Sequence, residues 1–428
     1  MRKPTTDKPP QVEPRLDRRS VCGDTRQLIS QVRQYELITP LFGGGVEPAV
    51  ADPVTVVRGS EIRGHLRFWW RACRGGQFGG DLARMKESED LLWGTTSTSE
   101  KPSPSQVGVN VEITNLGQEE QPFETKTRAS QDWRDLAYAA FPLQETLAKV
   151  RTRVAFTLML TFPRSYQAQV EGALWAWETF GGIGARTRRG FGALKGVRLD
   201  SSTVSLPHPG NVQQWITENL RAHVAVGTCP DGVPHIEQGW QGKITAGQRS
   251  PVEAWKFLIR KLKEFRQQRP GPPNDPGRSV WPEPDAVRRI TRQHLNKVVN
   301  GQARRHEPVH SAGNIFPRAA FGMPIIFHFK DMNRSNPSDP NSDPKDTTLQ
   351  GVNCHRFASP LILRPLACSE GRAVGLAVIL QGSDLPPLIL KGAPENPPVR
   401  ATLTSTEASA ISPLDGNPDV LQKFLQTF

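Results

Sequence analysis

The sequence predicts an α+β fold in two domains, and both its length and the order of patterns along it support this. At 428 residues the chain exceeds the usual size of a single domain. The first half alternates strand-like and helix-like segments, whereas from about residue 206 helical patterns dominate before strand-like runs return. We therefore expect a polar, proline-rich, disordered tail over 1–30, one domain over 31–205, and a second α+β domain with helical insertions over 206–428.

The first domain begins with a strand and a helix. Residues 31–40, QVRQYELITP, alternate as a strand does and stop at Pro40. Ser60 is placed to cap a helix over EIRGHLRFWWRACR, in which apolar residues recur at helical spacing.

The rest of this domain adds two strands, a helix and a last strand. The strands are VGVNVEIT (107–114) and RVAFTLMLTF (153–162), the helix lies near 167–180, and ALKGVRL (193–199) returns as a strand. This order is that of the ferredoxin-like, split βαβ fold shared by RNA-recognition modules, with 115–150 as an insertion.

The second domain opens with helical patterns. Helices are predicted at 212–224, 251–269 and 285–299, and strands at 323–329, 359–366, 373–380 and 398–404. Residues 269–284 form a proline-rich linker, and we expect a surface loop over 330–348. We expect this domain to be ferredoxin-like as well.

Charge favours a polyanionic partner. Lysine and arginine total 54 against 42 aspartate and glutamate, which gives a net charge of +12 and an isoelectric point near 9.7. Nucleic acid fits this balance, and a basic protein that is merely soluble is the alternative. The five cysteines form no CxxC pair, so we expect neither a disulfide framework nor a zinc site in a reduced, cytoplasmic chain. The polar N-terminus and the lack of a long apolar run predict neither a signal peptide nor a membrane span.

Arginines recur along one face of the first predicted helix. Arg63, Arg67, Arg71 and Arg74 stand at i, i+4, i+8 and i+11, and cations so arranged repel one another unless something neutralises them. Glu61 in the first turn is explained by the helix dipole. A solvated face is the usual meaning of such an arginine stripe, and a bound polyanion is the alternative.

A second basic element is the glycine-rich loop, residues 181–192, which reads GGIGARTRRGFG. Glycine permits close backbone approach, and Arg186, Arg188 and Arg189 offer planar donors suited to phosphate. The loop satisfies neither GxGxxG nor a GK[ST] ending and it follows a helix, so a mononucleotide site is not predicted. In the predicted topology both helices pack on one side of the sheet, where the loop and the arginine stripe can converge.

Aromatic residues and histidines offer weaker signals. Trp69, Trp70 and Phe191 could stack bases, although tryptophan at helical spacing is more often core. His65 could act as a general base in RNA cleavage, but no second acid or base stands at an informative spacing. His294, His306 and His310 lack carboxylate support in the sequence, so a metal site is not expected.

Four segments together resemble the RAMP superfamily of CRISPR proteins. They are LITPLFGGG (37–45), VRGSEIRGHLRFWWRA (57–72), ESEDLLWG (87–94) and GGIGARTRRGFG (181–192). Within that superfamily they are most similar to subunit one of the Cmr effector complex of type III-B systems. In the second half the similarity thins to PRAAFGMPIIF (317–327) and RFASPLIL (356–363).

The resemblance implies a non-catalytic RNA-binding subunit of an RNA-guided antiviral ribonucleoprotein. Its partners would be guide RNA, in the 3′ region, target RNA and the other Cmr subunits, with target sequence read by base pairing rather than by the protein. The alternative is a stand-alone, metal-independent RAMP endoribonuclease that processes repeat RNA with His65 as general base. We expect no cofactor and no metal.

The residues expected at the RNA interface come from the arginine stripe, the glycine-rich loop and family-like flanking segments. They are Arg58, Arg63, Arg67, Arg71, Arg74, Gly181, Gly182, Gly184, Arg186, Arg188, Arg189, Phe191 and Arg318.

Overall fold

A computed structural model describes residues 27–45, 50–52, 54–95, 102–272, 277–299 and 302–428. Most of the predicted tail therefore lies outside the described residues, but its last part does not, because the first strand already begins at Leu28. The fold is mixed α and β with antiparallel sheets, as predicted.

Within its described residues, the first half carries nine strands and four helices. They are β1 (Leu28–Leu37), α1 (Gly59–Arg74), α2 (Leu82–Trp93), β2 (Gly108–Asn115), β3 (Gln118–Glu120), β4 (Phe123–Thr125), β5 (Arg128–Ala129), α3 (Ala137–Ala140), β6 (Val150–Thr152), β7 (Ala155–Pro163), α4 (Gln167–Phe180), β8 (Leu194–Leu199) and β9 (Ser202–Thr203).

Five of these strands form one antiparallel sheet in the order β2-β7-β1-β8-β9. Of the four strands predicted from the sequence, the first thus lies between the third and the fourth, and the second pairs with the third. Tyr35 marks the centre, facing Phe156 on β7 and Gly196 on β8. Helices α1 and α4 pack together, and Trp70 Nε1 of α1 donates to Gln169 Oε1 of α4 over 2.7 Å.

Helix α1 begins two residues earlier than predicted. Arg58 is the extended N-cap residue and Ser60 lies inside the first turn, so the predicted Ser60 cap is wrong. The buried side of α1 is the predicted apolar stripe, and Ile62 and Leu66 are fully buried there. Helix α2 has a conventional cap, because Asp81 accepts from the Arg84 amide.

The predicted insertion, residues 115–150, contains short strands and helix α3, and its last strand, β6, runs on to Thr152. Strand β3 pairs with β6, β4 with β5, and Trp133, Leu136 and Leu143 make a small core. That core also includes Phe191 of the glycine-rich loop and Trp255 of the second half, so the insertion bridges the two halves of the chain.

In the part of the second half that the structure describes, there are five helices and nine strands. They are α5 (Val212–His223), β10 (Gln241–Ile244), α6 (Pro251–Arg266), α7 (Glu283–Thr291), β11 (Asn296–Val299), β12 (Gln302–Arg305), β13 (Ile325–Phe327), β14 (Thr347–Gly351), β15 (Leu361–Ala367), β16 (Ala373–Ile379), β17 (Leu388–Lys391), β18 (Pro398–Val399), α8 (Ser405–Ser409) and α9 (Val420–Leu425).

These strands form two sheets and a separate hairpin. One sheet has the order β10-β16-β15 with α6 packed on it, the other has the order β13-β14-β17-β18, and β11 pairs with β12 alone. The sheet β10-β16-β15 has the same strand order as β1-β7-β2 of the N-terminal sheet. In both, of these three strands, the one that comes third in the chain lies between the first and the second. In the described part of the chain the sheet β10-β16-β15 has no fourth strand, so a second complete ferredoxin-like domain stays a prediction.

The predicted helix over 285–299 is wrong in its second half. Helix α7 ends at Thr291, because Arg292 adopts a left-handed conformation with φ 56°, and residues 296–299 form β11 instead. None of the helices within the described ranges is long and apolar enough to cross a bilayer.

The two halves share one core. The largest cluster of buried apolar side chains joins Tyr35, Trp70 and Leu174 of the first half to Ile216 and Leu376 of the second. Burial of apolar surface is the main stabilising term in folding, so the two halves stabilise each other.

Candidate nucleic-acid interface

Two of the four arginines in the stripe on α1 have a carboxylate partner within the protein. Arg67 Nε lies 2.7 Å and Arg71 Nη1 2.5 Å from the same oxygen, Oε1 of Glu89 on α2. Glu89 is only 3% exposed, and Arg67 also donates to the Gly94 carbonyl over 2.9 Å. Helix α2 therefore supplies the carboxylate that α1 lacks. The acidic ESED segment at 87–90 is the sequence feature that indicates this partner.

The remaining stripe arginines bind backbone. Arg74 Nη1 donates to the His223 carbonyl over 3.1 Å, and Arg63 Nη2 makes a long contact of 3.5 Å with the Val107 carbonyl. Arg58, just before α1, donates to the Gly44 carbonyl. This contact fixes the glycine triplet at 43–45, which follows β1. The described contacts thus give most of these arginines structural partners.

The glycines of the glycine-rich loop approach protein rather than ligand. A Cβ at Gly181 would lie 2.5 Å from Trp69 Nε1, one at Gly182 2.8 Å from the Gly192 carbonyl, and one at Gly184 2.6 Å from the Phe42 carbonyl. The Gly184 amide also donates to Glu61 Oε1 over 2.7 Å. The close approach predicted from these glycines is real, but its purpose is to seat the loop on α1 and on the turn after β1.

The aromatic residues proposed for base stacking are core. Phe191 and Trp70 are fully buried and Trp69 is 4% exposed. Phe191 packs edge-on to Trp255, with ring centroids 4.9 Å apart, and stacks on Trp133 at 6.1 Å. A base could reach Phe191 only by opening this core, so the predicted stacking role of Phe191 is corrected to a packing role.

The loop arginines reach toward the second half. Arg189 donates to the Leu361 carbonyl over 2.8 Å and to the Phe321 carbonyl over 2.9 Å, and Arg188 donates to the Ser359 carbonyl. The Arg188 guanidinium also lies 5.6 Å from the ring centroid of Phe68 on α1. Arg188 therefore links the glycine-rich loop to helix α1 through Phe68, a residue outside the arginine stripe, and the predicted convergence of the loop with the stripe itself stays a prediction.

Arg186 differs from its two neighbours. Its backbone is left-handed, with φ 60°, and its guanidinium lies 5.4 Å from the ring centroid of Phe141, a side chain that is 59% exposed. Among the residues described, no group accepts a hydrogen bond from Arg186, and its Nε is buried without a partner. The Arg186 guanidinium therefore has N–H donors that form no hydrogen bond within the described protein, and it lies beside an exposed aromatic ring.

Two more arginines complete a group that we call the arginine cluster: Arg186, Arg188, Arg189, Arg266 and Arg318. Arg266 donates to Tyr138 Oη over 2.8 Å, and Arg318 Nε lies 3.1 Å from Glu283 Oε2. Within the described chain, Glu283 is the one carboxylate in contact with a cluster member. The cluster therefore contains five cations, and only one of them, Arg318, is paired with a carboxylate among the residues described.

Burial and mutual repulsion make these cations costly. Burial lowers the pKa of Arg186 to about 10. Burial, together with the charges of Arg266 and Arg186, lowers the pKa of Arg189 to about 9. At neutral pH both are still charged, and an anion brought to the cluster would relieve the repulsion. The arrangement is therefore suited to binding phosphate through guanidinium groups.

His65 has a carboxylate neighbour at the i, i+4 spacing on α1, so the expectation that no second acid or base stands at an informative spacing is wrong. Its Nε2 lies 3.6 Å from Glu61 Oε1, the oxygen that also accepts from the Gly184 amide. Glu61, assigned from the sequence to the helix dipole, instead fixes the glycine-rich loop to α1.

One of the later histidines, His306, lies beside a buried carboxylate. His306 Nδ1 lies 2.7 Å from Oδ2 of the buried Asp343, so the expectation that it lacks carboxylate support is wrong. Asp331 also lies close enough to share a metal ion with these two. Arg288 already binds both oxygens of Asp343, at 2.8 and 3.2 Å, and a cation in that place makes this an ion-pair network.

Comparison with known proteins identifies a superfamily to which part of the chain is similar. The RAMP superfamily model matches residues 34–195. Two Pyrococcus furiosus proteins are similar. The CRISPR system Cmr subunit Cmr1-2 is 27% identical over 184 residues, which cover 37% of this chain and 91% of that one. Subunit Cmr1-1 is 28% identical over 156 residues, which cover 35% of this chain and 43% of that one. The predicted resemblance to RAMP proteins, and to subunit one of the Cmr complex, is confirmed.

Solved structures with similar chains have low sequence identity. The apo crystal structure of Cmr1 from Pyrococcus furiosus aligns with a TM-score of 0.48 at 16% identity, covering 90% of this chain and 96% of that one. A chain of the type III-B Cmr-beta complex bound to cognate target RNA aligns with a TM-score of 0.49 at 12% identity, covering 93% and 100%.

Proposed function

We propose that this chain, with its RAMP region at residues 34–195, is a non-catalytic RNA-binding subunit of a type III-B CRISPR effector complex in the cytoplasm. The two Cmr subunits similar to it support the assignment to such a complex. Its RNA partner is the guide, in the 3′ region, or the target strand, and its protein partners are the neighbouring Cmr subunits.

The arginine cluster is the observation that supports RNA binding most directly. Of the five arginines only Arg318 contacts a carboxylate of the described chain, and the pKa values of two others are lowered to about 10 and about 9, so the cluster needs an external anion more than an ordinary basic surface does. Guanidinium groups bind phosphate without reading sequence, as a subunit needs when base pairing selects the target. Arg186 is the member free to make this contact.

A binding titration with matched variants tests the proposal. Arg186→Ala should weaken binding of a labelled guide RNA and reduce the salt slope of log K by about 1, the effect of one lost phosphate contact. Arg260→Ala is the control, since Arg260 is an exposed arginine whose guanidinium also lies near an aromatic ring, 5.5 Å from the centroid of Phe257. Fluorescence anisotropy over a range of salt concentrations measures both quantities.

Equal affinity and equal salt slope for wild type and Arg186→Ala would remove this residue from the interface. Arg189→Ala is a poor substitute for this test, because Arg189 donates to two carbonyls of the second half and its loss should destabilise the fold.

The topology supports a ferredoxin-like unit in the first half. We propose that β1, α1, β2, β7, α4 and β8 form it, since their sheet order and antiparallel pairing are those of the split βαβ fold. The strands β10, β15 and β16 with α6 are proposed as its incomplete counterpart in the second half.

A second candidate is the RAMP endoribonuclease with His65 as general base. The observation that favours it is the carboxylate of Glu61 3.6 Å from His65, which could orient the imidazole. Metal-independent cleavage of a CRISPR repeat transcript by the purified chain, abolished by His65→Ala but retained by His208→Ala at a histidine far along the chain, would establish it. An uncleaved transcript would exclude it.

A further inference from the structure

The β11–β12 hairpin is a small arm with a firmly held base. Its strands pair only with each other among the described strands. At its base Leu295 is buried, its amide lies 3.3 Å from Asp343 Oδ1, and the His306 amide donates to its carbonyl over 2.8 Å. Because His306 also binds Asp343, one buried carboxylate ties down both ends of the hairpin.

The arm itself carries only positive charge. Residues 296–305 read NKVVNGQARR and contain no acidic residue. The strand register sets Lys297 directly opposite Arg304, with Arg305 opposite Asn296, and all three cations are exposed. No carboxylate of the described chain forms an ion pair with any of the three. Like charges directly opposite one another destabilise a strand pair, so the arm keeps an arrangement that weakens it in isolation.

The β4–β5 hairpin of the insertion provides a comparison within the same molecule. It also carries two exposed cations, but Arg128 Nε lies 3.0 Å from Glu124 and Lys126 Nζ 3.4 Å from Glu145. Exposed hairpin cations in this protein can therefore have carboxylate partners close in the chain or in space. The β11–β12 arm has none, which indicates an external anion.

We propose that the β11–β12 arm is a second RNA contact, in which Lys297, Arg304 and Arg305 bind backbone phosphates; this rests on the proposed function. The arm lies outside the RAMP region at residues 34–195. The exposed side chains described in the arm are the three cations, Asn296, Ala303 and Val298, which is 71% exposed. Arginine is common at both protein and phosphate interfaces, but lysine is depleted at protein interfaces and common at phosphate contacts, so Lys297 on β11 favours RNA over an acidic protein surface.

The test compares two pairs of substitutions in the full chain. Lys297→Ser with Arg304→Ser removes the cross-strand pair of the arm, and Lys126→Ser with Arg128→Ser removes the same charge from the neutralised hairpin. The probe is a fluorescein-labelled single-stranded RNA long enough to span the arginine cluster and the arm. For the arm variant we expect affinity to fall on the order of tenfold and the salt slope to shrink by about 1 to 2. The control pair should bind as the wild type does.

Thermal unfolding without RNA separates binding from folding. The arm variant should melt at the wild-type temperature or slightly above it, because a like-charge pair has been removed. Lower stability of this variant would make Lys297 and Arg304 structural residues and overturn the proposal.

The outcomes also separate this inference from the proposed function. If RNA binding depends on Arg186 but the arm variant binds like the wild type, the arm is not a contact and the proposed function stands. An equal loss in both double variants would show an effect of net charge alone and would overturn the arm contact. A wild-type chain that binds no RNA would overturn both proposals.

Discussion

Arg364 shows at the scale of one residue how the two halves are joined. It lies on β15, is fully buried, and donates to the carbonyls of Glu178 and Gly181 at the end of α4, over 2.7 and 2.8 Å, and of Leu194 on β8, over 3.0 Å. The last carbonyls of a helix lack partners within it and carry partial negative charge, which a guanidinium satisfies. Burial lowers the pKa of Arg364 to about 9, so it remains charged at neutral pH.

We predict that Arg364→Met lowers the free energy of unfolding by about 3 kcal/mol or more, because three carbonyls lose a charged donor inside the core. Arg364→Lys should recover little of this loss, since a single ammonium cannot reproduce the planar fork. Arg198→Met, at an exposed arginine of β8, is the control and should change little. Urea unfolding followed by tryptophan fluorescence measures all three; a stable Lys variant would show that charge, rather than fork geometry, holds the halves together.

Asp343 makes stability depend on pH. Burial alone would raise the pKa of this carboxyl, but hydrogen bonds and charge from Arg288 and His306 outweigh burial and lower it. A carboxyl with a lower pKa in the folded state than its unfolded value of about 3.9 stabilises the fold above that pH, and this stabilisation is lost as the pH falls through the folded pKa.

We therefore predict that Asp343→Asn reduces the urea midpoint near about pH 6 and that the gap to wild type narrows near about pH 3. Asp415→Asn is a suitable control, since Asp415 is 83% exposed in its ion pair with Lys423. A gap that stayed constant over this range would show that the charge of Asp343 does not stabilise the fold.

At the scale of elements, helices α1 and α2 act as a pair. The arginine stripe of α1 could be read from the sequence because its spacing is local, but the pairing of Arg67 and Arg71 with Glu89 depends on how α2 packs.

We predict that Glu89→Gln destabilises the protein by about 2–3 kcal/mol, as Arg67 and Arg71 lose a buried shared partner. Glu87→Gln, at an exposed position of α2, should be near neutral in the same unfolding measurement. If both variants were equally stable, the stripe would need another counter-charge.

Periodic elements were predictable and their contacts were not. The apolar spacing of α1 and α6 and the continuous apolar run of β7 determined their type and approximate position, because those signals lie within one segment. The helix predicted over 285–299 failed where apolar periodicity continued past Thr291 into a strand that pairs with residues further on. The Asn-Gly dipeptide at 300–301 is the hairpin signal that would have identified it.

The candidate interface shows the same division. Composition and spacing singled out the glycine-rich loop, whose glycines do permit close approach. At Gly192 a Cβ would lie only 1.9 Å from the Ile183 carbonyl. Sequence could not tell whether the approaching group was phosphate or protein. It also could not tell that backbone carbonyls would accept from Arg189 while Arg186 kept free donors. The first distinction depends on Phe42 and Trp69, and the second on Phe321 and Leu361, which lie far from the loop in the sequence.

At the scale of the whole molecule, the division near residue 205 that the sequence predicts does not coincide with a division of the core. Buried side chains of α5, β15 and β16 belong to the same cluster as those of β1, α1 and α4. Trp255 Nε1 donates to the Arg189 carbonyl over 2.7 Å, and Arg364 binds the end of α4, so polar contacts cross the same division.

We predict that residues 1–205 expressed alone will not reach the native state. The fragment would lose the second-half apolar residues of the shared core and leave the carbonyls bound by Arg364 without that donor, so it should bind a hydrophobic dye and give a broad size-exclusion profile. Mixing it with residues 206–428 during refolding should restore a monodisperse species with RNA affinity. A fragment that is monodisperse alone, with native tryptophan fluorescence and wild-type salt-dependent RNA binding, would show that the first half is an autonomous domain and that the shared core contributes little to its folding.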